Sequence, residues 1–309
     1  MSDSKSTSYV SPEYGDVNVG RYVDLMIDVA FKRVFGFPAN KDLLMALLSA
    51  VLPELEIRDL TYLDKEKTGV SEGDKKSVFD LLCQTADGEE VLIEIQLSPQ
   101  DWFRDRTLYY VSQELLWQHK AGDEVYTLKP IYVISFLNFV MQHEADDKEK
   151  FVWRYSLLEK ETVESMTKAL NFTYVELPKF NKKESELANL QDKFYFCLSQ
   201  MGKLSERPGN LDGEVFRKLF EVAEFAKMDH RQQRQYIAKM TTDRDIKNQI
   251  AYARKEGLEQ GLKRGLDKGL AQGKAEGAVA IARALKAKGI ALDVIADCTR
   301  LSVSEIADL

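Results

Sequence analysis

The sequence is poor in the residues that build covalent cross-links and zinc sites. Its three cysteines lie far apart and form neither a CxxC motif nor a Cys/His cluster: Cys83, Cys197 and Cys298. Neither a disulfide framework nor a zinc site is therefore indicated.

Long apolar runs are also missing. The first twenty residues are rich in Ser, Asp and Gly without the apolar core of a signal peptide, and no stretch approaches the roughly 18 apolar residues of a membrane span. We therefore expect a cytoplasmic protein with no membrane partner, whose residues 1–19 form a disordered tail.

Two common catalytic signatures are absent. No glycine loop of the phosphate-cradling type occurs, because the glycine repeat near the C-terminus lacks a GK[ST] ending and follows no strand. The three histidines have no nucleophile motif and no second histidine at ligand spacing, so we interpret them as surface or packing residues. They are His119, His143 and His230.

The net charge of −7 at first argues against a nucleic-acid partner, since phosphate binding depends on Lys and Arg. The charge is uneven, however. Residues 230–289 contain 14 Lys and Arg against 6 Asp and Glu, a net of +8, which leaves −15 for the rest. A basic segment that contacts DNA and ordinary solvated helix faces both explain this pattern.

Hydrophobic periodicity divides the chain into an α/β part and a helical part. Residues 22–52 predict two helices with a break at Gly36 and Pro38, and residues 101–120 predict a third. Strands are predicted at 57–63, 77–85, 90–97, 130–136, 151–157 and 171–177. This order favours an α/β or α+β core with a crossover helix.

The polar stretch after Pro178 predicts a domain boundary near residue 180, followed by a helical region at 181–250. Residues 251–309 begin with one glycine at every fourth position from Gly257 to Gly277. This stripe is flat enough for another backbone to approach, so we predict a homodimer through the helical C-terminal region. A polar, partly helical tether is the alternative.

The last thirty residues predict two short helices with a break at Thr299 and Arg300. Ser302 and Glu305 have capping-box spacing at the start of the second helix. The pair resembles a helix-turn-helix without a basic recognition face, so protein contact and DNA contact both remain open.

The residues with the clearest chemistry lie on the predicted hairpin of 77–97. Glu94 and Gln96 share one strand face. Asp80 interrupts an apolar run, where burying a carboxylate costs free energy unless it has a partner. A two-residue turn would place Asp80 opposite Ile95. A three-residue loop with Gly88 in the left-handed conformation would place it opposite Glu94. The chemistry and the position of the glycine favour the three-residue loop.

Two opposed acids, with Cβ atoms about 4.5–5.5 Å apart, would hold one divalent cation. Mg²⁺ or Mn²⁺ is the expected cofactor, with the backbone carbonyl of Ile95 as third ligand beside Asp80 and Glu94. Gln96 would orient the attacking water or contact the scissile phosphate. The implied reaction is phosphodiester hydrolysis.

Asp80, the hairpin and Glu94-Ile95-Gln96 resemble the PD-(D/E)xK nuclease superfamily, with Gln96 in the slot usually held by lysine. Further motifs in this order are similar to the Rpn-type recombination-promoting nuclease and transposase family. They are Asp28–Lys32 with Phe35-Gly36, Arg106–Tyr110, the Gly122…Tyr126 turn and the apolar strand from Ile131. The resemblance covers residues 22–140, and the glycine repeat resembles that family more loosely.

This resemblance implies a restriction-endonuclease-like core at 20–180, in which helices flank a mixed central sheet. It also implies a Mg²⁺-dependent DNA endonuclease connected with recombination or mobile DNA. Asp28 would be the helix-borne acid that completes the catalytic set of Asp80, Glu94 and Gln96, although a surface or capping acid is the alternative.

Gln96 cannot carry the charge that lysine would place beside the phosphate. Lys32, Arg104 and Arg106 are candidates to supply that charge as substrate-binding residues, and Arg106 is the expected phosphate contact. The competing hypothesis is a non-catalytic, nuclease-like DNA-binding or regulatory module that acts through residues 230–289 and the C-terminal helices.

The aromatic residues around the third helix allow two interpretations. Trp102, Phe103, Tyr109 and Tyr110 are able to stack on bases, but their helical spacing favours a place in the core.

Overall fold

A computed structural model describes residues 7–11, 15–63, 66–67, 77–119, 125, 127–144 and 147–309. The predicted Gly122…Tyr126 turn lies outside the described residues. The chain forms two compact units, Met1–Asp243 and Arg244–Leu309.

The N-terminal residues differ from the expected disordered tail. Strands β1 (Thr7–Ser11) and β2 (Gly15–Val19) pair antiparallel, from Thr7 opposite Val19 to Ser11 opposite Gly15. Both strands contain β-branched residues, which favour extended backbone, and pairing satisfies their backbone hydrogen-bonding groups.

The two predicted N-terminal helices are present, with the break where it was expected. Helix α1 (Asp28–Phe35) ends at Gly36, a 3₁₀ turn spans Pro38–Asn40, and α2 covers Lys41–Val51. A Cβ at Gly36 would lie 2.6 Å from the Lys32 carbonyl oxygen and 2.8 Å from Leu81 Cδ2, so only glycine fits this turn.

No single helix among the described residues is long and apolar enough to cross a membrane. The bent pair Asp28–Phe35 and Pro38–Val51, with 72° between its members, passes that test by length and composition alone. Its leucines are buried in the core of the first unit, which explains the apolar composition.

The first unit contains a mixed six-stranded sheet. Its strands are β3 (Leu60–Tyr62), β6 (Leu81–Thr85), β7 (Glu90–Gln96), β8 (Ile131–Leu137), β9 (Val152–Ser156) and β10 (Leu170–Glu176). They are ordered β3-β6-β7-β8-β10-β9. The β7/β8 and β8/β10 pairs are parallel and the other pairs are antiparallel. Strands β4 (Glu66–Lys67) and β5 (Ser77–Val78) form a separate two-stranded pair.

Helices cover both faces of this sheet, as predicted for the restriction-endonuclease-like core. Helix α3 (Phe103–Trp117) connects the parallel strands β7 and β8. Its Val111 packs with Leu82 and Leu92 on one face. On the other face, Leu81 and Ile93 belong to the large core formed with α1 and α2. The alternation along β6 and β7 therefore assigns successive side chains to two different cores.

The compact first unit extends well beyond the boundary predicted near residue 180. Helices α4 (Leu190–Gln200) and α5 (Glu214–Val222) contact α2. Phe194 and Leu219 are buried in the same core as the α2 leucines. Sequence composition changes at 180 because the strands end there, whereas the core also includes residues of α4 and α5 and, further on, Tyr236 and Ile237.

Helix α6 (His230–Ala287) is continuous and includes the glycine repeat. In the second unit, α7 (Leu292–Thr299) and α8 (Val303–Ala307) form a small cluster with Ala282, Ile295 and Ile306. Ser302 and Glu305 form the predicted capping box. The predicted break occurs at Arg300, whose φ of 59° lies in the left-handed region.

Candidate active site

The β6–β7 hairpin has the register that the three-residue loop predicts. Leu81 lies opposite Ile93, and Cys83 lies opposite Val91. Gly88 has a φ of +90°, and its N–H donates to the Thr85 carbonyl oxygen at 3.1 Å. A left-handed glycine at the end of the loop therefore sets the pairing of the strands that carry the candidate acids.

Asp80 lies just before β6, in a bend, and the regular ladder ends at Leu81. Its backbone N–H donates to the Ile93 carbonyl oxygen at 3.1 Å, although Ile93 is also the partner of Leu81. The strand bulges here, so direct opposition of Asp80 and Glu94 within the ladder, as predicted, is not what the structure shows. Instead the Ile95 N–H donates to Asp80 Oδ2 at 2.7 Å, which brings the carboxylate next to the Glu94–Gln96 segment.

Helix α1 contributes two charged residues to Asp80. Lys32 Nζ lies 2.5 Å from Asp28 Oδ1, one turn earlier, and 3.2 Å from Asp80 Oδ1. Burial raises the pKa of Asp80 to about 7, and the neighbouring carboxyl of Asp28 acts in the same direction. Burial lowers the pKa of Lys32, but the two acids outweigh it and the net pKa is raised. The predicted auxiliary acid and one candidate cation therefore lie beside Asp80.

Helix α3 provides the positively charged side chain that contacts Glu94. The Glu94 side chain is 10% exposed, and Arg106 Nη2 donates to its Oε1 at 2.5 Å and to Gln96 Oε1 at 3.2 Å. Burial raises the pKa of Glu94, although the Arg106 guanidinium opposes this. Gln96 is held by its amide, which donates to the Ser98 carbonyl oxygen at 3.0 Å.

The three candidate cations take different positions. Arg106 binds at Gln96 and Glu94, and Lys32 binds at Asp80. Arg104 does not bind these acids: its Nη2 donates to the Gln142 carbonyl oxygen at 3.0 Å and lies 3.1 Å from His143 Nδ1.

Sequence reasoning missed three residues that hold this region together. Gln100 accepts a hydrogen bond from Arg106 Nη1 and thereby orients the guanidinium. Glu176, fully buried at the end of β10, lies 2.6 Å from His143 Nε2. A carboxylate after the apolar residues of a buried strand needs a partner, which is the signal that would have found this pair.

The donor set predicted for a metal ion consists of the Asp80 and Glu94 carboxylates and the Ile95 carbonyl. Among the described residues, no group of three or more His, Cys, Asp or Glu side chains is arranged to hold a metal ion. Within the same residues, the Glu94 Oε2 atom is buried without a hydrogen-bond partner. An unsatisfied buried carboxylate oxygen costs free energy that a bound cation would offset. In donor type, Asp80, Glu94 and the Ile95 carbonyl suit one hard divalent ion.

A family model described as PD-(D/E)XK nuclease family transposase matches residues 25–253. The chain belongs to this family. The match runs from the segment before α1 into α6, so it includes the sheet, the hairpin acids and the helices that complete the first core. It confirms the resemblance and the fold predicted from the hairpin motif. No curated protein and no solved structure matches the chain significantly.

Membership in the PD-(D/E)XK nuclease family transposases associates the chain with nucleases of mobile DNA. Members of the superfamily are generally hydrolytic and usually use divalent metals.

Proposed function

We propose that this chain is a Mg²⁺- or Mn²⁺-dependent DNA endonuclease that hydrolyses phosphodiester bonds. The observation that carries the proposal is the pair of buried carboxylates at Asp80 and Glu94. Both have raised pKa values, and they are joined through the Ile95 amide. Such a pair is expensive to keep for structure alone, because burial penalises each ionised form. It is well suited to holding a divalent cation.

Asp80, Glu94 and the Ile95 carbonyl would hold the metal. When bound, the ion lowers the pKa of a coordinated water and neutralises charge on the phosphodiester. Asp28 keeps Lys32 beside Asp80 through the ion pair between them. Gln96, held by Ser98 and Arg106, positions the attacking water or a phosphate oxygen.

Lys32 and Arg106 supply the positive charge that Gln96 lacks. Each already contacts one of the two acids, at 3.2 Å for Lys32 and 2.5 Å for Arg106. Asp80 and Glu94 would share their charge with a bound metal, and both Lys32 and Arg106 would then be available to contact phosphate. The planar fork of Arg106 allows two parallel hydrogen bonds to one phosphate, which makes it the stronger candidate for the scissile group.

The C-terminal unit is proposed to join two copies of the chain. Four leucines spaced four residues apart on α6 are 58–73% exposed: Leu258, Leu262, Leu266 and Leu270. In the described part of the chain, no side chain or foreign backbone lies within 4 Å of a Cβ built on the adjacent glycines. A second α6 packed against this Gly/Leu stripe would bury the leucines, and the small glycines would allow a close approach.

The test is cleavage of a supercoiled plasmid by purified full-length protein with Mg²⁺, with Mn²⁺ and with EDTA. Asp80→Asn and Glu94→Gln preserve side-chain shape but remove the charges. We expect each to reduce the metal-dependent rate by about 100-fold or more, because a metal contributes several kcal/mol to the transition state.

Asp87→Asn is the matched control, since Asp87 lies at the loop end of the same hairpin. It should cleave like the wild type. If Asp80→Asn and Glu94→Gln also cleave like the wild type, or if nothing cleaves, the acids are structural. The non-catalytic DNA-binding module is then the better description.

A further inference from the structure

A large cleft lies at the N-terminal end of α3. It has a volume of about 850 Å³ and is lined by residues 99–105 and 139–144. Ligand pockets occupy roughly 300–1,000 Å³, so the cleft is large enough for a nucleotide. Gln100 on its wall accepts from Arg106, the same guanidinium that binds Glu94. One guanidinium therefore bridges the wall of the cleft and Glu94.

Trp102 on the wall of this cleft is unusual in two respects. Its side chain is 79% exposed, and its φ of 63° lies in the left-handed region, where a bulky residue is rarely found. The next residue, Phe103, has the opposite character: it is 5% exposed and packs with Leu137 and Tyr174. The chain thus buries one aromatic ring and leaves the larger one in the cleft, at a strained backbone position of the kind that gathers at functional sites.

Arg104 contacts the buried His143–Glu176 pair at the same cleft through hydrogen bonds that are themselves solvent-exposed. The His143 side chain is 6% exposed, and its Nε2 lies 2.6 Å from Oε1 of Glu176, which is fully buried. The Glu176 carboxylate is an acceptor, so Nε2 carries the proton and Nδ1 accepts from Arg104 Nη2 at 3.1 Å. The guanidinium is therefore fixed in orientation before any ligand arrives.

We propose that this cleft binds an unpaired base of the DNA substrate, with Trp102 stacking on the base and Arg104 contacting the adjoining phosphate. A base inside a duplex is stacked on both faces, so only an unpaired or flipped base offers a face to the indole. Every base has such a face, and every nucleotide carries a phosphate that a fixed guanidinium recognises. This inference rests on the proposed nuclease function and adds a preference for unpaired nucleotides next to the cleavage site.

The test measures binding of full-length protein in EDTA, so that cleavage does not interfere. The probes are two DNA duplexes of equal length that carry 2-aminopurine, one in a single-stranded overhang and one inside the paired region. The wild type should bind the overhang probe more tightly and quench its fluorescence. Trp102→Gly removes the ring and tolerates the left-handed backbone, so it should fold and should lose the quenching.

We expect Trp102→Gly to weaken overhang binding by about 5-fold or more, the effect of losing one base–aromatic stack. Trp102→Phe should retain most of the affinity. Trp117→Ala is the matched control, because Trp117 is an exposed tryptophan at the other end of α3 and outside the cleft. It should behave like the wild type. Arg104→Gln should weaken both probes and reduce the salt slope by about one.

The proposal is overturned if Trp102→Gly binds and quenches like the wild type, or if Trp117→Ala loses as much affinity. The outcome is separate from that of the cleavage assay. If Trp102→Gly changes neither cleavage nor quenching, the base-binding proposal is wrong and the nuclease proposal stands. If Trp102 quenches the probe but no metal-dependent cleavage occurs, the nuclease proposal is wrong and the base-binding proposal stands.

Discussion

Replacing Asp80 with asparagine should stabilise the metal-free protein at neutral and alkaline pH. Burial and Asp28 raise the pKa of Asp80 from 3.8 to about 7. At 1.36 kcal/mol for each pH unit, ionisation of this carboxyl in the folded chain costs about 4 kcal/mol more than in the unfolded chain.

The direction in which stability changes with pH follows from the number of protons that each state binds. Below about pH 4 the carboxyl is protonated in both states and costs nothing. Between about pH 4 and pH 7 the folded state binds the extra proton, so stability falls as pH rises, and above about pH 7 the loss is complete. Asparagine stays neutral and keeps an oxygen for the Ile95 N–H, and the pKa of about 7 already includes the attraction between Asp80 and Lys32. The gain should therefore be about 4 kcal/mol at pH 8.

Urea denaturation of wild type and Asp80→Asn in EDTA, at pH 8 and near pH 4.5, measures this gain. It should be large at pH 8 and small at pH 4.5, and Asp87→Asn should change neither. Adding Mg²⁺ at pH 8 should restore stability to the wild type alone, by about 2.7 kcal/mol at one hundred times the dissociation constant. An Asp80→Asn protein no more stable than the wild type at pH 8 would refute the reasoning.

Two further changes test the neighbouring features. Arg106→Gln should reduce cleavage by about 10–100-fold and move the rising limb of the pH–rate profile to higher pH. The reason is that the Arg106 guanidinium opposes the rise in the pKa of Glu94. Arg106→Lys keeps the positive charge and should therefore move the rising limb less. A pH–rate profile that is unchanged in Arg106→Gln would contradict this coupling. Leu262→Lys combined with Leu266→Lys should convert a dimer to a monomer in analytical ultracentrifugation. Gln260→Lys adds a charge elsewhere on α6 and should leave the dimer intact. If the double leucine variant stays dimeric, the interface lies elsewhere.

The local elements were predictable because short-range chemistry determines them. Gly36 and Pro38 end one helix before the next begins, and Gly88 adopts the positive φ that selects the three-residue loop and hence the register of β6 and β7. Where the ladder ends was not predictable. Asp80 lies in a bulge, because its N–H and the pairing of Leu81 both use Ile93.

The arrangement of the cations illustrates the limit of sequence reasoning. Sequence reasoning named Lys32, Arg104 and Arg106 as candidates to replace the missing lysine and preferred Arg106 as the phosphate contact, since each lies on a helix next to the hairpin in sequence or in the predicted fold. The structure separates them: Arg106 reaches Gln96, Lys32 reaches Asp80, and Arg104 is bound by His143. Arg104 and Arg106 are two positions apart on α3 and point in different directions, because a helix turns about 200° over two residues.

The sequence by itself determined the choice of candidate acids, the hairpin that carries them, the mixed sheet with its crossover helix and the membership of a nuclease family. These depend on side-chain periodicity, turn chemistry and motif order, which are local. Only the tertiary structure decided that the first unit extends to Asp243, that Asp80 meets Ile95 through its carboxylate, and that Trp102 is exposed in a cleft at the start of α3. These depend on which surfaces remain uncovered after the helices have packed on the sheet and on one another, and burial of this kind is a property of the whole chain.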